Sequence, residues 1–370
     1  MAKSEVFRHL SVHCAAFHYP VYIGAHLFSD HELLCRHVKA FQVMIVTNAS
    51  IAPLYLSSVQ EAFSKFQCDV VVIPDGEAYK NQEGLFAIYD GLIENQHHRD
   101  TTLVALGGGV VGDITGFAAA TYQRGVRFIQ APTTLLAQVD ASIGGKTAIN
   151  HRLGKNMIGS FHQPHAVLMD LTTLSTLPER EFCAGFAEII KYALLVGGNF
   201  LKKVDALLEQ GYSSMTLPQQ ADLIAQCCDI KANFVQEDEK EIGRRALLNL
   251  GHTFAHALEV YTNYRRWLHG EAVGIGLYCA ALLSYASGSL DKCHLLSVDS
   301  LLANAKLPRR IPKEIDLDKL QDLMFSDKKI VNKKLRFVLM RAPGDCYIET
   351  EITADSLRYV LMNAVEGEKS

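Results

Sequence analysis

The chain has 370 residues and a mass of 40.9 kDa, more than one hydrophobic core usually serves, so its length points to two domains or one large α/β unit and excludes a small disulfide scaffold. Lys and Arg number 36 against 40 Asp and Glu, a net charge of −4, and this balance gives no sign of a nucleic-acid or anionic-membrane partner. With 49% hydrophobic and 21% charged residues the composition excludes a disordered chain. The nine cysteines are scattered without a C-x-x-C, only Cys227 and Cys228 adjoining, so neither a disulfide framework nor a thiolate zinc site is expected. Lys3, Glu5, Arg8 and His9 interrupt the N-terminal apolar residues and leave no room for the apolar core of a signal peptide. A reduced, cytoplasmic setting follows as the expectation.

In chain order, short β-branched or aliphatic runs at 41–46, 70–73, 102–106, 127–131 and 166–170 alternate with helix-like segments. Such runs suit strands buried on both faces, and their alternation with helices predicts an α/β N-terminal domain with a parallel, Rossmann-like nucleotide-binding sheet. Beyond residue 170 helical periodicity takes over, at 179–195, 217–237, 246–261 and 271–285. The expected division is therefore an α/β domain over 1–171 and a mainly α-helical domain over 172–370. Runs at 335–340 and 346–348 predict a small hairpin. The stretch 272–290 carries no charge over 19 residues, but three glycines and three serines interrupt it, and it is read as a buried helix of a soluble domain.

After the run 102–106 comes Gly107-Gly108-Gly109-Val110-Val111-Gly112-Asp113, which satisfies G-x-G-x-x-G. Glycines there let backbone N–H groups approach a pyrophosphate at a helix N-terminus; a ligand-free strand-to-helix turn is the alternative. Gly145-Lys146-Thr147 resembles the end of a P-loop, but Asp140 stands where its first glycine is required, which argues against a nucleoside triphosphatase. Asp140, Lys146, Lys155 and Asn156 gather in one glycine-punctuated stretch, either a solvated loop or a phosphate- and hydroxyl-binding wall. Arg245, Asn249, His252 and His256 are spaced four, three and four apart, which projects them from one helix face otherwise wrapped in aliphatics, with Gly251 a point of interruption. Histidine and asparagine on such a stripe favour an inward site over a solvated edge. Glu188 and Lys191 lie one turn apart, and His269 precedes Glu271. Two histidines and a carboxylate suit a catalytic zinc, yet spacing chooses neither between His252 and His256 nor between Glu188 and Glu271. H-E-x-x-H is absent, because Thr253 stands where Glu would be.

These motifs occur together with Pro132-Thr133-Thr134-Leu135-Leu136-Ala137-Gln138-Val139-Asp140, Gly154-Lys155-Asn156, Ala187-Glu188-Ile189-Ile190-Lys191, Asn249-Leu250-Gly251-His252-Thr253 and His269-Gly270-Glu271-Ala272. In that order the chain resembles the 3-dehydroquinate synthases, a branch of the sugar phosphate cyclases, from Val46-Thr47-Asn48 to Asp327-Lys328-Lys329. The resemblance implies an NAD- and metal-dependent carbon–oxygen lyase of the shikimate pathway, usually a homodimer, with no nucleic-acid or membrane partner. Its reaction converts 3-deoxy-D-arabino-heptulosonate 7-phosphate (DAHP) to 3-dehydroquinate and phosphate through transient oxidation, β-elimination of phosphate, re-reduction and an intramolecular aldol step. Glu188, His252 and His269 are then the ligands of Zn2+ or Co2+. NAD is expected against Asn48, Glu77, Lys80, Gly108, Gly109, Asp113, Thr133 and Thr134, with Thr173, Thr176 and Glu181 approaching from the second domain. Asp140, Lys146, Lys191 and His256 take catalytic roles. Lys155, Asn156, Lys231, Arg245, Asn249 and Lys328 surround the substrate, and Arg124 reaches the phosphate of a neighbouring subunit. The rival readings are a sister cyclase with a non-acidic substrate, a metal-dependent alcohol dehydrogenase of similar architecture, and a binding module that has lost the chemistry.

Overall fold

The computed structural model describes residues 3–15, 17–325 and 336–367, and the chain divides into two compact units. The first comprises Met1–Pro178 with Met215–Lys240, the second Glu179–Ser214 with Glu241–Ser370. The expected boundary at 171 thus differs from the observed division: the first unit runs on to Pro178 and takes back the helix Leu217–Glu237.

The strands of the first unit are β1 (Glu5–His13), β2 (His18–Ala25), β3 (Gln42–Asn48), β4 (Gln67–Ile73), β5 (Thr102–Gly107), β6 (Arg127–Pro132), β7 (Lys146–His151), β8 (Gly154–Phe161) and β9 (Ala166–Asp170). Seven of them form one sheet in the order β1-β2-β9-β6-β5-β3-β4, parallel throughout except for β1, which pairs antiparallel with β2. All seven residues of β3 are buried, and its alternating side chains feed two cores. Met44 and Val46 join Leu85, Ile88, Ile114 and Phe117 of the helices Gln82–Glu94 and Gly109–Thr121 on one face. Val43 and Ile45 join Leu33, Leu34, Val59 and Phe63 on the other. A strand covered on both faces needs no polar alternation, which is why the apolar runs read correctly as parallel strands. Each such Val, Ile or Leu contributes about 1.5–3 kcal/mol on burial.

Two hairpins carry no comparable sequence signal. In β1 most side chains are exposed, and four consecutive residues of β8 are exposed, so neither strand presents a continuous apolar run. The helix Leu217–Glu237 packs on β1 and β2, with an Arg8–Asp222 ion pair between them. Its start is set by a capping box, Thr216 with Gln219, and by Pro218 in the first turn.

The second unit is mainly helical: Glu179–Val196, Gly198–Gln210, His252–Tyr261, His269–Ala286, Lys292–Asn304, Leu317–Phe325 and Ala354–Asn363. A hairpin joins β10 (Phe337–Ala342) to β11 (Asp345–Glu349), close to the expected one, whose residue 335 lies outside the described residues. The continuous helix expected over 246–261 is broken: a 3-10 turn spans Arg244–Asn249, and the α-helix starts only at His252. Gly251 makes the break, with φ +78°, and a Cβ there would stand 2.7 Å from the backbone nitrogen of Leu277. Among the described residues no helix is long and apolar enough to cross a membrane.

Candidate active site

In the first unit the strand order reverses beside β3, because the chain continues outward to β4 and then returns to the other side as β5. Open parallel sheets bind ligands outside the carboxyl ends of strands at such a switch point. Asn48 ends β3 and Gly108-Gly109 follow β5, so both lie there. The Asn48 side chain donates to Asp75 Oδ1 (2.6 Å) and accepts from the Ile51 nitrogen (2.9 Å). Gly108 begins the helix Gly109–Thr121 with no side-chain cap, leaving the first-turn N–H groups to another acceptor. A Cβ on Gly108 would come within 3.1 Å of Thr134 Cγ2, and one on Gly109 within 3.3 Å of Ala141 Cβ, so the turn is close-packed only as glycine. Thr133 follows β6 and is 2% exposed, and its buried Oγ1 has no hydrogen-bond partner among the described residues. The uncapped helix start, the bare glycines and this orphaned hydroxyl fit a dinucleotide.

Thr173 and Thr176 sit just past β9 in the first unit, not in the second domain as expected; only Glu181, in the first turn of Glu179–Val196, belongs to the second unit. The Thr173 hydroxyl donates to the Asp170 carbonyl (2.7 Å), and Thr176 shares a short hydrogen bond with the Tyr55 hydroxyl.

The hairpin β7–β8 brings Glu77, Lys80, Asp113, Lys155 and Asn156 into one network. Lys80, 3% exposed, ion-pairs with Asp113 and donates to Asn156 Oδ1 at 2.7 Å. Glu77 Oε1 accepts from Asn150 Nδ2 (2.8 Å) and lies 3.8 Å from Lys155 Nζ. Burial pushes the Asp113 carboxyl above its ordinary range while the Lys80 ammonium pulls it back. Asn150 was not singled out in the sequence, yet its backbone nitrogen donates to the Lys80 carbonyl (2.7 Å) and its Oδ1 accepts from the Asn156 nitrogen (2.9 Å). Recognising β7 and β8 as a hairpin would have exposed it. Lys231 Nζ meets Asp140 twice, at Oδ1 (2.9 Å) and at the carbonyl (2.8 Å), so these two expected site residues come together within the first unit. Lys146 opens β7 with an exposed side chain. Arg124 is exposed too, in a turn where Gln123, Arg124 and Gly125 all have positive φ (50°, 67° and 119°), the first two against the preference of L-residues.

In the second unit the geometry brings one of the combinations left open by spacing together. Glu188 is fully buried on Glu179–Val196, and its Oε1 lies 3.5 Å from His252 Nε2 and 3.7 Å from His269 Nε2. One ligand atom from each of the three lies within 4.8 Å of the others. The rival carboxylate, Glu271, is engaged elsewhere: Arg180 binds it through Nε and Nη2, both at 2.7 Å, and it caps its own helix by accepting from the Leu268 nitrogen (2.8 Å). His256 stays close, its ring centroid 5.6 Å from that of His252 and 6.2 Å from that of His269, but outside the set of three.

The donor set fits a divalent ion. Glu188 Oε1 is buried and accepts no hydrogen bond among the described residues, while Oε2 ion-pairs with Lys191, itself 2% exposed. The His252 Nδ1 faces the Leu250 carbonyl at 3.0 Å and the His269 Nδ1 faces Glu259 Oε1 at 3.2 Å, so both Nε2 atoms are turned toward Glu188. Two histidines and one carboxylate leave a position open, as catalytic zinc sites do. Arg245 is 1% exposed in the 3-10 turn, and Asn249 bonds the Glu241 carboxylate and the Ala246 carbonyl (3.2 Å). Lys328 lies outside the described residues. Glu259 also escaped the sequence reading, although its spacing of three from His256 continues the polar stripe.

Comparison with known proteins agrees with this geometry. Residues 70–184 match the family model described as 3-dehydroquinate synthase N-terminal, and residues 185–330 match 3-dehydroquinate synthase C-terminal. A 3-dehydroquinate synthase of Legionella pneumophila (strain Corby) is 59% identical over 369 residues, covering 100% of both chains. Among solved structures, 2-deoxy-scyllo-inosose synthase complexed with carbaglucose-6-phosphate, NAD+ and Co2+ superposes with a TM-score of 0.87 at 24% identity, over 97% of this chain and 100% of that one, a likeness of fold. The 2-epi-5-epi-valiolone synthase from Streptomyces hygroscopicus subsp. jinggangensis 5008, with NAD+ and Zn2+ bound, gives 0.83 at 26% identity, over 94% and 96% of the two chains. With both halves of the family matched in order and a relative this similar along its whole length, the chain belongs to the 3-dehydroquinate synthase family.

Proposed function

We propose that the chain performs the reaction of its family, the conversion of DAHP to 3-dehydroquinate and phosphate with NAD and a divalent metal ion, Zn2+ or Co2+. The observation that carries this reading is the buried convergence of Glu188, His252 and His269 beside Lys191. When bound, NAD and the metal supply reversible hydride transfer and acidification of the substrate hydroxyl to be oxidised. Glu188, His252 and His269 would hold the ion. Asn48, Glu77, Lys80, Gly108, Gly109, Asp113, Thr133, Thr134, Thr173, Thr176 and Glu181 are proposed for NAD.

The substrate carries a carboxylate and a phosphate, and burying either without a cation is costly. Lys146, Lys155, Lys231, Arg245 and Lys328 provide cationic heads for these groups, while Asn156 and Asn249 provide amides for hydroxyls. Lys191, buried on the helix of Glu188, is suited to donate to an oxygen whose charge develops during oxidation. Asp140 and His256 are the groups to accept and return protons in elimination and ring closure.

The protein is further proposed to be a cytoplasmic homodimer, with Arg124 of one protomer serving the phosphate in its partner. Two features support the homodimer: the strained turn that presents Arg124, and the exposed apolar side chains Phe86 and Ile93 on one helix and Leu153, Met157, Ile158 and Phe161 on the β7–β8 hairpin. The test of the reaction follows free phosphate and nicotinamide absorbance together, with DAHP and catalytic NAD. One phosphate per substrate without net NADH is the expected result. Stoichiometric NADH would indicate an alcohol dehydrogenase, and release only from a non-acidic sugar phosphate would indicate a sister cyclase.

A further inference from the structure

We propose that Glu259 is a positioning residue of the metal site, fixing the tautomer and ring direction of His269; this rests on the metal reading above. Glu259 lies on His252–Tyr261 seven residues after His252, two helical turns along the same face, and is 3% exposed. Its Oε1 stands 3.2 Å from His269 Nδ1. A carboxylate oxygen at this distance accepts from an Nδ1–H, and that tautomer leaves the lone pair on Nε2, the nitrogen that faces Glu188 Oε1 at 3.7 Å.

The two histidines are thus oriented by chemically different acceptors. His252 uses the Leu250 carbonyl at 3.0 Å, which no side-chain substitution removes. His269, like His252, is the first residue of its α-helix, and here a side chain from another helix supplies the acceptor. A carboxylate this deeply buried is costly unless its charge is used. Beside a dication it is used twice: it strengthens the hydrogen bond to His269 and it raises the basicity of that imidazole toward the ion.

The experiment compares the full-length protein with Glu259→Gln, Glu259→Ala and His269→Ala, measuring Zn2+ affinity by chelator competition, the visible bands of bound Co2+, and the melting temperature without metal. Glu259→Gln keeps an acceptor of the same shape and lacks only the charge, so it should weaken Zn2+ binding on the order of tenfold, and Glu259→Ala by about 10- to 100-fold. Both should shift the Co2+ bands, and NAD affinity should not change. If both variants bind Zn2+ within about twofold of the parent with unshifted Co2+ bands, while His269→Ala loses its metal, the positioning role is overturned and the metal site stands. If His269→Ala also keeps its metal, the metal reading itself fails, and this proposal with it.

Discussion

Helix spacing in the second unit makes the proposed metal ligands sensitive to a single methyl group. Gly270 follows His269 directly, and a Cβ at that position would stand 1.8 Å from the Ala184 carbonyl oxygen and 2.5 Å from its carbon. Ala184 lies one turn before Glu188 on the facing helix. Ordinary contact needs about 3.5 Å, so Gly270→Ala must part the two helices by roughly 1.5 Å or unwind one of their ends. Neither contact atom is the tip of a flexible side chain, so the strain cannot be relieved by a rotamer change. Overpacking of this kind costs about 1–3 kcal/mol of stability. Metal ligands tolerate displacements of only about 0.2 Å, so the His269 to Glu188 spacing cannot absorb such a shift. Zn2+ affinity should fall at least 10- to 100-fold, the loss usual for disturbing a metal ligand's support.

Gly274→Ala serves as the control. On the same helix its Cβ would meet the Pro308 carbonyl at 2.8 Å, a clash with the segment Leu307–Pro308 and not with the helix that carries Glu188. Urea unfolding of the metal-free proteins and chelator competition for Zn2+ separate the two effects. Both variants should lose stability, and only Gly270→Ala should lose the metal. Equal Zn2+ affinity in the two variants would refute the argument that helix separation governs ligand geometry, and an unchanged unfolding midpoint in Gly270→Ala would refute the close contact itself.

Replacing His269 by Ala should remove most metal from the purified protein, and elemental analysis showing full content would contradict the ligand set. Mixing Arg124→Ala chains with Lys146→Ala chains should restore activity in verified mixed dimers, because one of the two sites is then intact; mixed dimers that remain inactive would argue against a shared site. Burial lowers His37 and His165 to about 4, with Arg127 nearby, and His37 Nε2 and His165 Nδ1 lack hydrogen-bond partners. The folded state therefore binds fewer protons than the unfolded chain between about pH 4 and pH 6.5, so stability present near neutrality is lost as pH falls through that window. Replacing both with Leu should flatten the slope of unfolding free energy against pH there, and an unchanged slope would show that the acid sensitivity resides elsewhere.

The parallel sheet was legible in the sequence because strands covered on both faces are apolar without interruption, and the run 166–170 coincides with β9. Glycine order after β5 and the polar residues around 140–156 and 245–256 were legible for a related reason: backbone approach and buried polar chemistry restrict residue type more tightly than packing does. The hairpins β1–β2 and β7–β8 were not, since half-exposed edge strands carry no such restriction, and with β7–β8 went the link from Asn150 to Lys80. Periodicity located the helix Leu217–Glu237 to the residue but not its partner, because an apolar face does not say which surface will cover it. Only tertiary structure assigned that helix to the first unit and drew Glu188, not Glu271, to the histidines. The competing carboxylate was removed by Arg180, 91 residues away in the chain, a separation over which local spacing has no reach.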